Sequence, residues 1–276
     1  MVRLATVGTS AITEKFLSAA RKTGRFELVT CYSRTGEKGE AFAKAQGFKG
    51  CCTDITELAK SPDINAVYIA TPNSLHYAQS RIFLENGKHV LCEKPITASA
   101  KEYDALLKLA DEKGVIYAEA IMSRHFKGRK ILFNALSEIG DISAARIDYC
   151  QRSSRYDAFK SGEHMNIFDM SLGAGTLTDL GVYCVYAAVD MFGMPNNIKA
   201  CASFFENGAD IAPEGSLRQS LVLRLRFAAS AMASVSDNVR EVREKIDRIN
   251  GKRGLPPDPE KSDMRMVAAD QFYSIS

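Results

Sequence analysis

Short apolar runs alternate with amphipathic stretches along residues 1–120, and this alternation constrains the fold more than any other feature of the chain. Residues 3–7, 26–32, 63–70, 88–92 and 115–120 read as strands. Residues 14–22, 41–45, 75–86 and 99–113 read as helices, with a short capped turn at 53–58. Strand and helix in strict turn predict a parallel, right-handed, doubly wound sheet. The run Lys88-His89-Val90-Leu91-Cys92-Glu93-Lys94-Pro95 ends in a proline, which cannot donate to a ladder, so Lys94 is expected at a carboxyl edge of the sheet. Ligands of open parallel sheets bind at that edge. A lysine there is an acid/base group, a fixed charge or simply a solvated strand end.

The first strand runs into Gly8-Thr9-Ser10-Ala11-Ile12-Thr13 and then a helix. A tight turn opening a helix can receive phosphates on the helix N-terminus. Ser10 and Thr13 stand where a G-x-G-x-x-G fingerprint has its second and third small residues, so the turn alone fits either a nucleotide site or an ordinary strand–helix turn. The second strand ends at Ser33-Arg34-Thr35, with Lys38 shortly after. A ribose pocket for NAD usually carries an acid there. Its absence, and the guanidinium in its place, favour the extra phosphate of NADP over NAD, against the plain reading of Arg34 as a loop residue.

Residues 121–276 lack this alternation and no Gly/Ser linker precedes them, so a second, closely packed domain is expected from about residue 121. Residues 124–138 read as a basic amphipathic helix with Phe126, Ile131, Leu132, Leu136 and Ile139 as its core face. Residues 142–149 alternate as a strand, and 151–168 form a polar, irregular loop carrying Arg152, Arg155, Tyr156 and His164. From Leu172 a glycine-rich turn, Gly173-Ala174-Gly175, opens a helix expected to run to Phe192, in which Asp179 and Tyr183, four apart, share a face. Taken by itself, Tyr183 reads as a core residue of the helix rather than as an acid/base group. Residues 198–205, 216–227 and 229–236 read as further strands, giving an α+β domain with an open, mainly antiparallel sheet.

A net charge of +3, without a basic stripe interleaved with aromatics, gives no footprint for nucleic acid. The reading finds no apolar run long enough for a membrane span and no signal peptide. Seven cysteines, odd in number, without a CxxC pair and mostly inside apolar runs, point to reduced thiols in a cytoplasmic protein. Four scattered histidines offer no metal spacing, so no metal is expected.

Ala70-Thr71-Pro72-Asn73-Ser74-Leu75-His76, followed one helix later by Glu93-Lys94-Pro95, resembles the Gfo/Idh/MocA family of oxidoreductases over residues 1 to about 236. The resemblance implies a Rossmann-type first domain. It also implies that Thr71, Pro72, Asn73 and His76 lie along the cofactor and that Lys94, beside Glu93, reaches nicotinamide and substrate. Gly8, Thr9, Ser10, Ala11, Ile12, Ser33, Arg34, Lys38 and Arg124 complete the expected cofactor-binding set. The glycine turn with Asp179 and an acid/base residue four later looks like the family's second signature. Tyr183, in place of a histidine, resembles the branch of dihydrodiol and aldose dehydrogenases and glucose-fructose oxidoreductase. On this reading Lys94, Asp179 and Tyr183 are catalytic. Tyr183 moves the carbinol proton, Lys94 stabilises its phenolate, and Asp179 orients the lysine or the substrate hydroxyl. The implied activity is NADP-dependent (NAD possible) hydride transfer to or from a sugar, diol or polyol, in a homodimer or higher homo-oligomer. The competing reading is a dinucleotide-binding sensor or degenerate homologue without turnover.

After Ser236 the sequence changes character. Val239, Val242, Ile246 and Ile249 repeat at helical spacing among dense charges, and Pro256-Pro257-Asp258-Pro259 excludes regular structure. The expectation is a replaced tail from about 237, against a genuine short variant whose terminal helix docks on the sheet.

Overall fold

A computed structural model describes residues 1–140, 142, 144–151, 153–195, 198, 203–211 and 219–226. Among these, Met1–Ile121 with Ser171–Ala174 form one compact unit, and Met122–Met170 with residues from Gly175 onward form another.

The first unit is a six-stranded parallel sheet in the order β3-β2-β1-β4-β5-β6. Its strands are β1 (Val2–Val7), β2 (Phe26–Tyr32), β3 (Gly50–Cys52), β4 (Ala66–Ile69), β5 (His89–Glu93) and β6 (Tyr117–Ala120). The helices are α1 (Ala11–Thr23), α2 (Gly36–Gln46), α3 (Ile55–Lys60), α4 (His76–Glu85) and α5 (Ala100–Lys113). Alternate residues of each strand feed opposite layers. Ala5, Val7, Val67, Ile69, Val90 and Cys92 pack with Leu58, Phe83, Leu84, Leu106 and Ala110 on one side. Leu4 and Tyr68 pack with Phe16, Leu17, Ala20 and Phe42 on the other. Strand order reverses between β1 and β4, which opens a crevice at their carboxyl ends.

The ends of the helices follow local chemistry. Asp54 caps α3 by accepting from Thr56 N and Glu57 N, and Ser99 caps α5 by accepting from Glu102 N. β3 is too short to alternate, so periodicity passes over it. On α5, within the stretch 99–113 read as a helix, Leu106 and Ala110 are buried, while Tyr103 and Leu107 are exposed.

The second unit contains α6 (Lys127–Glu138), β7 (Ala144–Gln151), α7 (Tyr156–Lys160), α8 (Val182–Phe192), β8 (Ser203–Phe204), β9 (Asp210–Ile211) and β10 (Gln219–Arg226). β7 pairs antiparallel with β10 and β8 with β9, and α8 packs on β7 and β10. The strand expected at 229–236 and the tail from 237 lie outside the described residues, as do Arg152 and most of 198–202. The loop expected at 151–168 contains α7 and a 3₁₀ turn at Asn166–Phe168.

The face of α6 is corrected. Phe126, Ile131, Leu132 and Ile139 are exposed, with Ile131 at 71%. Leu136 alone of the expected face is half-buried, and Arg129 and Phe133 share that half-buried side. Arg129 forms a two-pronged ion pair with Asp190 on α8, at 2.7 Å for each contact, and its guanidinium lies 4.2 Å from the centre of the Phe133 ring. Also corrected is the reading that no stretch could span a membrane. Met170–Phe192 is long and apolar enough by length and composition, although Asp179 lies within it and Asp190 is ion-paired.

Candidate active site

The crevice is built first by a glycine. Gly8 follows β1 with φ 109°, a conformation open to glycine, and a Cβ there would run into the Ala70 carbonyl oxygen. The turn therefore lies against the end of β4 and presents backbone to whatever occupies the crevice. Ser10 stands at the N-cap of α1 in extended conformation, and its side chain makes no capping bond. The first N–H groups of a 13-residue helix are thus left for an anion, with Thr9, Ser10, Ala11 and Ile12 around them. This cradle fits the pyrophosphate of a dinucleotide. Thr13, at the third small position, is buried in α1 and its hydroxyl finds no partner among the described residues.

At the end of β2, Ser33 is buried beneath α2. Gly39 lets the helix come this close, since its Cβ would be 3.1 Å from the Ser33 Cβ. Ser33 Oγ accepts from Thr35 N at 3.4 Å. Arg34 and Lys38 are exposed at the start of α2, and no carboxylate stands between β2 and Thr35. These are groups for a phosphate rather than for a ribose diol.

The loop after β4 is tied down by its own motif residues. Thr71 Oγ1 donates to Gln79 Oε1 at 2.6 Å. Asn73 Nδ2 donates to the Gly173 carbonyl at 2.8 Å, and Gly173, at φ 71°, lets the glycine turn approach closely. His76 is fully buried, its Nδ1 lying 2.8 Å from Pro95 O and its Nε2 2.9 Å from Thr71 O. Burial holds its imidazole below the usual range, opposed by the two carbonyls. The ring therefore joins the loop after β4, which Pro72 opens, to the turn after β5.

That second turn carries Lys94, and the Lys94–Pro95 peptide is cis. Glu93, just before it, is buried and accepts from Tyr68 Oη at 2.5 Å. Its carboxyl is raised above the usual range, chiefly by burial. A second acid, Glu119 on β6, accepts from Ile96 N at 2.9 Å and is also raised by burial. Sequence reading missed Glu119. Its only signal was an acid inside an apolar strand, and no motif contains it.

In the second unit, Asp179 lies in a single π-helical turn, Leu177–Gly181, that leads into α8. The sequence predicts an unbroken helix here; such bulges are frequent at functional sites. Asp210 takes up the start of this segment by accepting from Leu177 N at 2.7 Å. Tyr183, in the first turn of α8, is partly buried and stacks on Tyr149 of β7, with ring centres 5.4 Å apart. Arg124 lies in a 3₁₀ turn, Met122–His125, rather than in a helix, and is exposed near Tyr186. The structure thus gathers Gly8 to Ile12, Ser33, Arg34, Lys38, Thr71 to Asn73, His76, Glu93 and Lys94 in the first unit, and Arg124, Asp179 and Tyr183 in the second.

The model for the oxidoreductase family, NAD-binding Rossmann fold, matches residues 2–121, and that for the GFO/IDH/MocA C-terminal domain matches 135–255, past Ser236. The chain is similar to scyllo-inositol 2-dehydrogenase (NADP(+)) IolU of Bacillus subtilis, with 41% identity over 76% of this chain and 64% of that protein. It therefore spans less than two thirds of that relative's length. It is also similar to trans-1,2-dihydrobenzene-1,2-diol dehydrogenase of Oryctolagus cuniculus, with 27% identity over 90% of this chain and 73% of that one. Among solved structures, biliverdin reductase from Synechocystis sp. PCC 6803, in complex with biliverdin and NADP+, superposes with a TM-score of 0.64 at 22% identity, over 81% of this chain and 67% of that one. At that identity the likeness is one of fold.

Proposed function

This chain belongs to the Gfo/Idh/MocA family of oxidoreductases, and we propose that it is an NADP-dependent enzyme transferring a hydride between nicotinamide and a CH–OH carbon of a sugar, diol or related polyol. The observation that carries this reading is the crevice of the first unit. There a glycine-backed turn and an uncapped helix start lie at the end of β1, exposed Arg34 and Lys38 follow β2 with no acid before Thr35, and an over-tied lysine turn follows β5. The relative named as an NADP(+) enzyme supports the choice of cofactor.

When bound, the cofactor supplies the hydride acceptor or donor. The chain supplies position and proton handling. Backbone N–H groups at Thr9 to Ile12 receive the pyrophosphate, while Arg34 and Lys38, beside Ser33, hold the additional phosphate. Lys94 provides a fixed cation at the reacting end. Tyr183 takes the proton from the carbinol oxygen or returns it, and Asp179 orients the reacting hydroxyl or the lysine. Glu93, Asn73 and His76 act by holding loops in place, and Arg124 belongs to the cofactor set. The reading includes a cytoplasmic setting and assembly as a homodimer or higher homo-oligomer, with no nucleic-acid or membrane partner.

The test is turnover. Purified protein with NADP is assayed against a panel of aldoses, inositols and vicinal diols, following reduced nicotinamide. Reduction that depends on substrate and is lost in Lys94→Ala supports the reading. Tight NADP binding with no turnover across the panel would instead fit a dinucleotide-binding sensor.

A further inference from the structure

We propose that Glu119 is a positioning residue for Lys94, fixing the Lys94-Pro95-Ile96 turn through the Ile96 backbone. This rests on the reading of Lys94 as a catalytic residue. β6 pairs with β5 so that Glu119 lies beside Cys92 and Ala120 beside Glu93. The Glu119 carboxylate thus stands beneath the point where β5 gives way to the turn, and it accepts from Ile96 N at 2.9 Å. Ile96 is buried, so this N–H has no water to fall back on.

The rest of the turn is held from other elements. Glu93 Oε2 accepts from Lys94 N at 3.3 Å, His76 Nδ1 lies 2.8 Å from Pro95 O, and Tyr117 Oη donates to Ile96 O at 3.4 Å. Among the described residues Glu119 is the acceptor for the Ile96 N–H, and proline at 95 passes its constraint to Lys94 through a restricted backbone. The Lys94 charge acts on both Glu93 and Glu119, favouring their ionised forms against burial. A buried acid, Glu93, and a half-buried one, Glu119, therefore bracket the turn that carries the lysine, and only Glu93 belongs to the Glu-Lys-Pro motif.

The test compares Glu119→Gln, whose amide oxygen can still accept from Ile96 N, with Glu119→Leu, which cannot. The first readout needs no turnover. Acylation by acetic anhydride is followed peptide by peptide, with exposed Lys101 as the internal reference. Glu119→Leu is expected to change the Lys94 rate severalfold relative to Lys101, and Glu119→Gln to restore it. The second readout is kinetic. Glu119→Leu is expected to lower kcat by about ten- to a hundredfold with the KM for NADP nearly unchanged, as for a displaced catalytic group, and Glu119→Gln to recover most of it. Should Glu119→Leu not fold, Tyr117→Phe loosens the same turn from its other bond, and a changed Lys94 rate is expected there. Unchanged Lys94 acylation in the folded variant, or a Gln variant as impaired as Leu, overturns the proposal. If the wild-type chain turns over no substrate, the functional reading fails, while the acylation comparison still decides the role of Glu119.

Discussion

Tyr183 and Glu119 lie at opposite ends of what a sequence shows of single residues. Tyr183 stands four after Asp179 behind a glycine turn, a spacing visible in the chain, and its stacking on Tyr149 adds a restraint that spacing cannot show. Tyr183→Phe keeps the ring and removes the proposed proton carrier, so turnover should fall by about two to four orders of magnitude with NADP binding retained. A fully active phenylalanine variant would reduce Tyr183 to a packing residue. Glu119 has no motif to announce it, and its part depends on which backbone N–H the turn after β5 brings beneath it. Burial raises its folded pKa above the unfolded value, so its contribution to stability is full below the usual carboxylate range and is lost as pH rises through the raised value. Glu119→Gln, which does not titrate, should therefore gain stability relative to wild type as pH rises from the usual carboxylate range, in melts run across a pH series. A gap that is constant or opposite in sign would contradict the assignment. His76 was legible as a motif residue, yet its full burial between two carbonyls makes it a tie between loops rather than a group facing the crevice.

Among elements, the strands of the first unit were legible because alternate residues feed two separate cores, and β3 was not, because three residues cannot show a period. The face of α6 was misread for a related reason. Periodicity assigns apolar residues inward, but the Arg129–Asp190 pair, with Phe133 under the guanidinium, sets the rotation of the helix. The π turn at Leu177–Gly181 has no signature in composition, since it is a matter of backbone pairing. In α1 the third small position of the fingerprint is a threonine whose buried hydroxyl has no partner among the described residues. Thr13→Val keeps the shape and removes the orphaned group, so chemical denaturation should show a gain of about 1 kcal/mol. A loss of similar size would mean that the hydroxyl is satisfied in solution.

For the whole molecule, strict strand–helix alternation was enough to read the doubly wound sheet, and the order β3-β2-β1-β4-β5-β6 bears it out. The second unit was less legible, because short antiparallel strands and 3₁₀ turns carry weak periodicity. Cofactor choice belongs to this scale, since it depends on the field at one edge of the sheet. With no acid between the end of β2 and Thr35, and with Arg34 and Lys38 exposed there, NADP should bind more tightly than NAD, and Arg34→Asp should weaken NADP selectively in fluorescence titrations. A native preference for NAD would contradict this. The central claim is hydride transfer from a carbinol carbon, and isotope transfer tests it most directly. The protein is incubated with NADP and polyols deuterated at their CH–OH carbons, and the recovered nicotinamide is weighed by mass spectrometry. The account predicts one deuterium on the reduced nicotinamide, absent with Lys94→Ala. Bound NADP that stays oxidised and unlabelled with every polyol would contradict it.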